Sequence, residues 1–152
     1  MKLDTADIKL LSLLQADSKK TTKEYANYLG LSTTAVYERI KRLERSGVIS
    51  RYVALLNLKK ADKAFLVFCH VKLIQHTKEF VLQFEREVQK LVEVAECYHI
   101  SGDYDYILKI HVRDMEEYRD FMVTKLTAIS NIGSTQSSFA INEVKHTTAV
   151  SL

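Results

Sequence analysis

Gly30 and Ser32 stand two residues apart, and that interval constrains the fold more than any other feature of the chain. Before it, Thr21 and Glu24 have the spacing of a reciprocal capping box at the head of "TTKEYANYLG", and Gly30 is suited to end that helix in a left-handed conformation. After it, Ser32 can cap a further helix whose apolar Val36, Ile40 and Leu43 recur at helical spacing until Gly47 stops it. Only Leu31 separates stop from start, so the two helices must meet through a tight turn, which makes a helix-turn-helix unit. An earlier amphipathic helix is expected in "LDTADIKLLSLLQADSK", with Asp4 as its cap, Asp7 three residues on, and Ile8, Leu11 and Leu14 inward, widened by Leu10 and Leu13.

Past Gly47 the pattern changes to "VISRYVALLNL", β-branched and aromatic residues that predict a short β wing, and the polar "NLKKADK" is the best domain boundary. Beyond it the periods alternate. Strands are expected at 64–73, 92–102, 103–112 and 134–146, and helices at 77–91 and 114–129, the second of these capped by Asp114. The order βαββαβ is that of a ferredoxin-like antiparallel sheet with two helices on one face. The fold class expected is therefore α+β: a winged helix-turn-helix in residues 1–60, then a ferredoxin-like domain in residues 61–152.

The 152 residues are 47% hydrophobic, enough for a real core in each of two small domains. No run is long and apolar enough to span a membrane, and "MKLDTADIK" lacks the apolar centre of a secretory signal, so a soluble, cytoplasmic protein is expected. Cys69 and Cys97 lie in apolar-alternating segments without C-x-x-C spacing and read as free thiols. Charge is divided unevenly. Residues 1–60 hold 12 Lys and Arg against 6 Asp and Glu, net +6, while residues 61–152 hold 10 against 13, net −3. A basic front on an acidic remainder suggests that only the first part meets a polyanion.

Taken together, "LDTADIKLLSLLQADSK", "LSTTAVYERIKRLERSGVI" and above all "ISGDYDYILKIHV" resemble the Lrp/AsnC, or feast/famine, family of transcription regulators over nearly the whole chain. The last segment is similar to the family's G-x-x-D-y stretch. The closing "ISNIGSTQSSFAINEVKHTTAVSL" is similar to a family segment in which a Gly-Val pair leads into a Thr-rich strand; Asn131 replaces that Gly, and Asn is the other residue that readily turns left-handed. The resemblance implies that the second domain, of the RAM type, senses a small molecule, expected to be an amino acid, and dimerises. It also implies assembly into dimers and often tetramers of dimers.

A helix lying in the major groove needs packing residues on one side and groove-reaching residues on the other, with cations at its flanks. With Val36, Ile40 and Leu43 inward, Thr33, Thr34, Tyr37, Glu38 and Lys41 fall outward, and Ser32, Thr33, Thr34 and Tyr37 lie near the helix start, where base edges are read. Glu38 could accept from a cytosine amino group. Arg39, Lys41, Arg42, Arg45 and, from the wing, Arg51 are candidates for phosphate contacts, with Arg39 equally suited to an acidic partner inside the domain. Any solvated charged helix also reads like "ERIKRLER"; the tight helix joint, the adjoining wing and the local net charge favour double-stranded DNA as the partner.

In "SGDYD", Gly102 frees the backbone to bring N–H groups towards a carboxylate, and Asp103 or Asp105 offers a countercharge for an ammonium group. A hairpin turn with Tyr104 and Tyr106 packing is the plainer reading of these residues, and the family resemblance shifts the balance to an effector site. It also implies that Thr135, Gln136, Ser137 and Ser138 lie near the ligand. The five histidines are scattered without metal-ligand spacing, no phosphate loop or catalytic triad stands out, and neither cofactor nor metal is expected. Self-association is expected through apolar sheet residues such as Phe65, Val67 and Ile107. Two alternatives share the architecture. One is a ligand-indifferent, chromatin-like DNA organiser. The other is a haem-precursor decarboxylase, against which the acidic second half argues.

Overall fold

A computed structural model describes residues 2–152. The chain forms two compact units, one of residues up to Leu55 together with Val144–Leu152, the other of Leu56–Glu143. Residues 144–152 thus pack in the first unit, although the sequence groups them with the second.

The first unit has three helices: α1 (Thr5–Ala16), α2 (Thr22–Leu29) and α3 (Thr33–Arg45). Their starts follow the expected chemistry. Asp4 and Asp7 form a reciprocal capping box, Thr21 and Glu24 another, and the Ser32 hydroxyl accepts from the Ala35 N–H at 3.1 Å. Gly30 ends α2 at φ 65°, where a Cβ is strained, and Leu31 N–H donates back to Ala26, so the turn into α3 occupies three residues. Leu10, Leu11, Leu14, Tyr25, Ala26, Val36 and Leu43 make the core, with Ile40 at its margin.

Between α3 and residue 65 the described residues form no strand. The β-rich segment 48–55 is extended, but residues 50–56 make no backbone hydrogen bond, and Tyr52, Val53 and Leu55 are exposed. Strand propensity there is genuine. What is missing within the chain is a second segment to pair with.

The second unit contains β1 (Phe65–Leu73), α4 (Lys78–Val88), β2 (Val94–His99), β3 (Tyr106–Val112), α5 (Met115–Phe121) continued by a π-helical turn at Met122–Leu126, and β4 (Ile132–Phe139). The strands lie in the order β2-β3-β1-β4, with every neighbouring pair antiparallel, which is the ferredoxin-like arrangement. Val67, Cys69, Val71 and Leu73 of β1 and Tyr106, Leu108, Ile110 and Val112 of β3 share one buried face with Phe84, Val88, Tyr118 and Phe121 of the helices. Residues 140–146, expected in the last strand, lie outside it. The Ala140 N–H still reaches the Leu66 carbonyl, but β1 begins at Phe65 and offers no further backbone. Asn131 adopts φ 71°, and its side-chain amide accepts from the Gln75 N–H at 3.0 Å and donates to the Gln75 carbonyl at 2.8 Å, so the turn survives the loss of the glycine.

Candidate nucleic-acid interface and effector loop

Along α3, the inward Val36 and Leu43 leave Thr33, Thr34, Tyr37 and Glu38 exposed around its first two turns, beside the cap Ser32. Of the cations expected to meet phosphate, three are already engaged. Arg39 donates from Nη1 to Asp4 Oδ2 and Asp7 Oδ1, both at 2.7 Å, and Arg42 Nη2 reaches the two Asp7 oxygens at 2.6 and 2.7 Å. Asp7 is 1% exposed, so these contacts clamp α3 to the start of α1 around a buried carboxylate. Arg39 therefore takes the acidic partner inside the domain. Arg42 keeps 46% of its side chain in solvent.

Lys41 pairs with Glu44 at 2.9 Å and lies 5.7 Å from the centre of the Tyr37 ring. The Glu44 hydrogen bond holds the ammonium above its ordinary range. Tyr52, just past the helix, donates to the other Glu44 oxygen at 3.1 Å, and although its ring is exposed its phenol is pushed up to about 12, first by partial desolvation around the hydroxyl and then by that carboxylate. Arg45 and Arg51 are exposed and make no ion pair among the described residues, so they are the cations least committed to the fold.

The 100–105 loop, the candidate effector site, is a closed structure. The Ile100 N–H donates to the Asp105 carbonyl at 2.8 Å, the Asp105 N–H to the Val71 carbonyl at 2.9 Å, and Gly102 turns at φ 121°, a conformation L side chains rarely adopt. A Cβ added at Gly102 would meet nothing within 4 Å. Within the chain, then, a substitution there acts through backbone strain.

Asp105 is also occupied. Its Oδ2 accepts from the Leu73 N–H at 2.7 Å, and both oxygens lie 2.9 Å from His76 Nε2. Burial pushes this carboxyl up, but the Leu73 amide and His76 outweigh it and hold the group below its ordinary value. The depressed folded value means a contribution to stability that is complete above the usual carboxylate range and is lost as pH falls through the folded value. We expect Asp105→Asn to lower the denaturant midpoint at pH 7, and variant and parent to converge only as pH falls below the lowered value of the folded carboxyl. Urea titrations at several pH values check this; a constant difference down to pH 2 would deny Asp105 the role.

Tyr104 donates to Gln136 Oε1 at 2.7 Å and packs on His70 with ring centres 5.3 Å apart, which brings Gln136 to the loop. The neighbouring β4 residues diverge because strand side chains alternate. Thr135 sits opposite the buried Val71, and the Ser137 hydroxyl lies inward, 2.5 Å from Tyr118 Oη and 3.9 Å from Cys69 Sγ. Ser138 is exposed on the Gln136 side, opposite Phe68, and Asp103 is exposed at the loop tip. Sequence reading missed His76, which it treated as a scattered surface residue; 29 positions separate it from Asp105, and only the register of β1 brings the two together.

Cys69 is buried and Cys97 half-buried, both free; burial pushes the Cys97 thiol up to about 11. Among the described residues no cluster of His, Cys, Asp or Glu could hold a metal ion, and no helix is long and apolar enough to cross a membrane.

Comparison with known proteins agrees with both halves. Residues 3–50 match the winged helix-turn-helix DNA-binding family, and residues 66–150 match the Lrp/AsnC ligand binding domain. The leucine-responsive regulatory protein of Haemophilus influenzae is 39% identical over 145 residues, which cover 95% of this chain and 87% of that one. Its Escherichia coli K12 counterpart is 39% identical over 143 residues, 94% and 87% of the two chains. Among solved structures, an AsnC family transcriptional regulator from Agrobacterium tumefaciens superposes with a TM-score of 0.94 at 36% identity, covering 97% of this chain and 96% of its own. A transcriptional regulator of Neisseria meningitidis, in complex with L-Met, does so at 0.94 and 32%, covering 98% and 96%. With a helix-turn-helix domain in one half and a ligand-binding domain in the other, the chain belongs to the Lrp/AsnC family of DNA-binding, ligand-responsive transcription regulators.

Proposed function

We propose that the protein acts in the cytoplasm as a homodimer that reads a two-fold DNA site with α3 and changes activity or assembly when an amino acid binds beside the 102–105 loop. It catalyses no reaction in this role. The observation that carries the reading is the division of α3: one side is clamped to α1 through Asp7, leaving the exposed Thr33, Thr34, Tyr37 and Glu38 for base edges. Arg45 and Arg51 supply phosphate contacts, Lys41 and the exposed part of Arg42 add to them, and Arg39 and Ser32 hold the helix in place.

An α-amino acid fits the loop by charge. The backbone around Gly102 faces a carboxylate, and Asp103, Tyr104 and Gln136 are the polar groups nearest to hand. Asp105 serves as a countercharge only if His76 leaves it; otherwise it braces the loop from behind. Thr135 and Ser137 support the strand from within, with Ser138 at its outer side. Two features favour a second copy of the chain. The sheet face opposite α4 and α5, with Phe68, Ile107 and Tyr98, has no helix of its own unit upon it, and the unpaired segment 50–56 offers amides and carbonyls that a twin segment would satisfy. Of the sheet residues expected at this contact, Val67 is in the core and Phe65 at its edge, which leaves Ile107.

Binding titrations on a selected duplex and a random one, at several salt concentrations, test the DNA reading. Tyr37→Ala and Thr34→Ala should each cost about 1–3 kcal/mol on the selected duplex and little on the random one. Arg45→Ala should weaken both and reduce the salt slope by about one unit. Equal losses on both duplexes for Tyr37→Ala would remove it from base reading. A thermal-shift screen of the twenty amino acids tests the ligand class; no shift with any of them would favour a ligand-indifferent organiser of DNA.

A further inference from the structure

Arg39 and Arg42 are tied to a carboxylate that is 1% exposed, and they cannot leave it without stranding a buried charge. Lys41 is tied differently. Its partner Glu44 stands one turn on along α3, the two side chains keep 43% and 29% of their surface in solvent, and the pair can open into water. Exposed pairs of this kind are common, and most contribute little. Here, however, three contacts converge. The Tyr52 hydroxyl donates to Glu44 Oε1 at 3.1 Å, Lys41 Nζ donates to Oε2 at 2.9 Å, and the same ammonium stands 5.7 Å from the centre of the Tyr37 ring on the exposed side of the helix.

Glu44 thus has a partner on each oxygen, and only one of them is a cation that DNA can claim. Lys41 holds the Glu44 carboxyl below its ordinary range, while Tyr52, whose phenol is pushed up to about 12, keeps its proton and remains a donor. When Lys41 turns to a phosphate, Glu44 retains the Tyr52 hydroxyl and stays in place. We propose that Glu44 is a tethered counter-ion for Lys41, held back by Tyr52 when DNA displaces it, which turns this α3 contact into an exchange of anions and so limits the affinity of the protein for duplexes of any sequence. The proposal rests on the reading of α3 as the DNA-binding helix. A free surface cation that meets phosphate releases counterions from the duplex, and that release drives binding. Where the cation must first leave its own carboxylate, the carboxylate takes up a cation from solution and the net release is smaller. Binding to bulk DNA is almost wholly electrostatic, so it is restrained, while the base contacts that select a site are untouched.

The test measures the affinity of the full chain for the selected and the random duplex between about 50 and about 200 mM salt. It compares the parent with Glu44→Gln, Lys41→Ala and Tyr52→Phe, and with the doubles that join Glu44→Gln to each of the other two. Glu44→Gln should tighten binding to both duplexes by about three- to tenfold at the low-salt end and steepen the salt slope by up to about one unit. In the Lys41→Ala background the same change should gain no more than about twofold. Tyr52→Phe should weaken binding about threefold, because a hydroxyl holds an unpaired carboxylate more strongly than a neutralised one, and should have no effect beyond about 1.5-fold once Glu44→Gln is present. An equal gain from Glu44→Gln with and without Lys41 would reduce the carboxylate to a distant negative charge, and no gain at all would make the pair idle; either overturns the proposal. A Tyr52→Phe loss that persists in the Glu44→Gln background overturns the exchange as well. Arg45→Ala separates the two levels of the argument. If it leaves the salt slope unchanged, the DNA-binding assignment of α3 fails together with the proposal, whereas a normal loss at Arg45 beside a silent Glu44 overturns the proposal alone.

Discussion

Asp7→Ala should lower the melting temperature of the helical unit by about 10 °C or more, the largest effect expected of any single polar substitution in the chain. The carboxylate is 1% exposed and accepts from Arg39, Arg42 and the Asp4 N–H, so its removal leaves two guanidinium groups without their partner and half a capping box undone. Breaking a buried ion pair costs about 3–5 kcal/mol; because Arg39 and Arg42 keep 25% and 46% of their side chains in solvent, about 2–3 kcal/mol is the better figure here. Asp7→Asn, which keeps a carbonyl acceptor of the same shape, should fall between. Calorimetric unfolding decides it. A variant within about 2 °C of the parent would make the cluster no more than an ordinary surface pair.

Ile107→Glu should convert the protein to a monomer at micromolar concentration while its melting temperature changes by only a few degrees. Ile107 lies on the sheet face opposite the helices, between His70 of β1 and Tyr98 of β2 in the register, and outside its unit's own core. Replacing it removes about 1.5–3 kcal/mol of apolar burial from each copy and adds a carboxylate to be desolvated. A two-fold contact suffers the change twice, so a loss of about 4 kcal/mol or more, about a thousandfold in association, is expected. Light scattering reads the mass. DNA titration should show two-site binding lost and single half-site binding retained. A variant that remains dimeric would transfer the contact to residues 50–56.

Much of this molecule is written locally. The caps at Asp4, Thr21, Ser32 and Asp114, the left-handed stop at Gly30 and the left-handed Asn131 are all legible because each depends on atoms within a few residues of its own backbone. The alternation of β1 and β3 is legible for the same reason, and with it the choice of residues for the core. The outward face of α3 follows from helical phase alone.

What local pattern left open was settled by contacts between residues far apart in the chain. Arg39 and Arg42 look alike from their neighbours, and only the packing of α3 on α1, 32 to 35 positions away, commits them to Asp7. "STQSS" reads as one polar run, yet the pleat of β4 sends Ser137 towards Cys69 and Gln136 towards Tyr104. The segment 48–55 has the composition of a strand and stays unpaired, because a strand needs a partner that composition does not supply. The same holds near the end of the chain, where residues 140–146, expected as strand, lie outside β4, and where Val150 meets Gln15, 135 positions earlier. Residue type and period determined which elements could form and which faces they would bury. Which charges were left free, and what the two ends of the chain were joined to, depended on register and packing, where a hydrogen bond is decided by position in space and sequence distance carries no information.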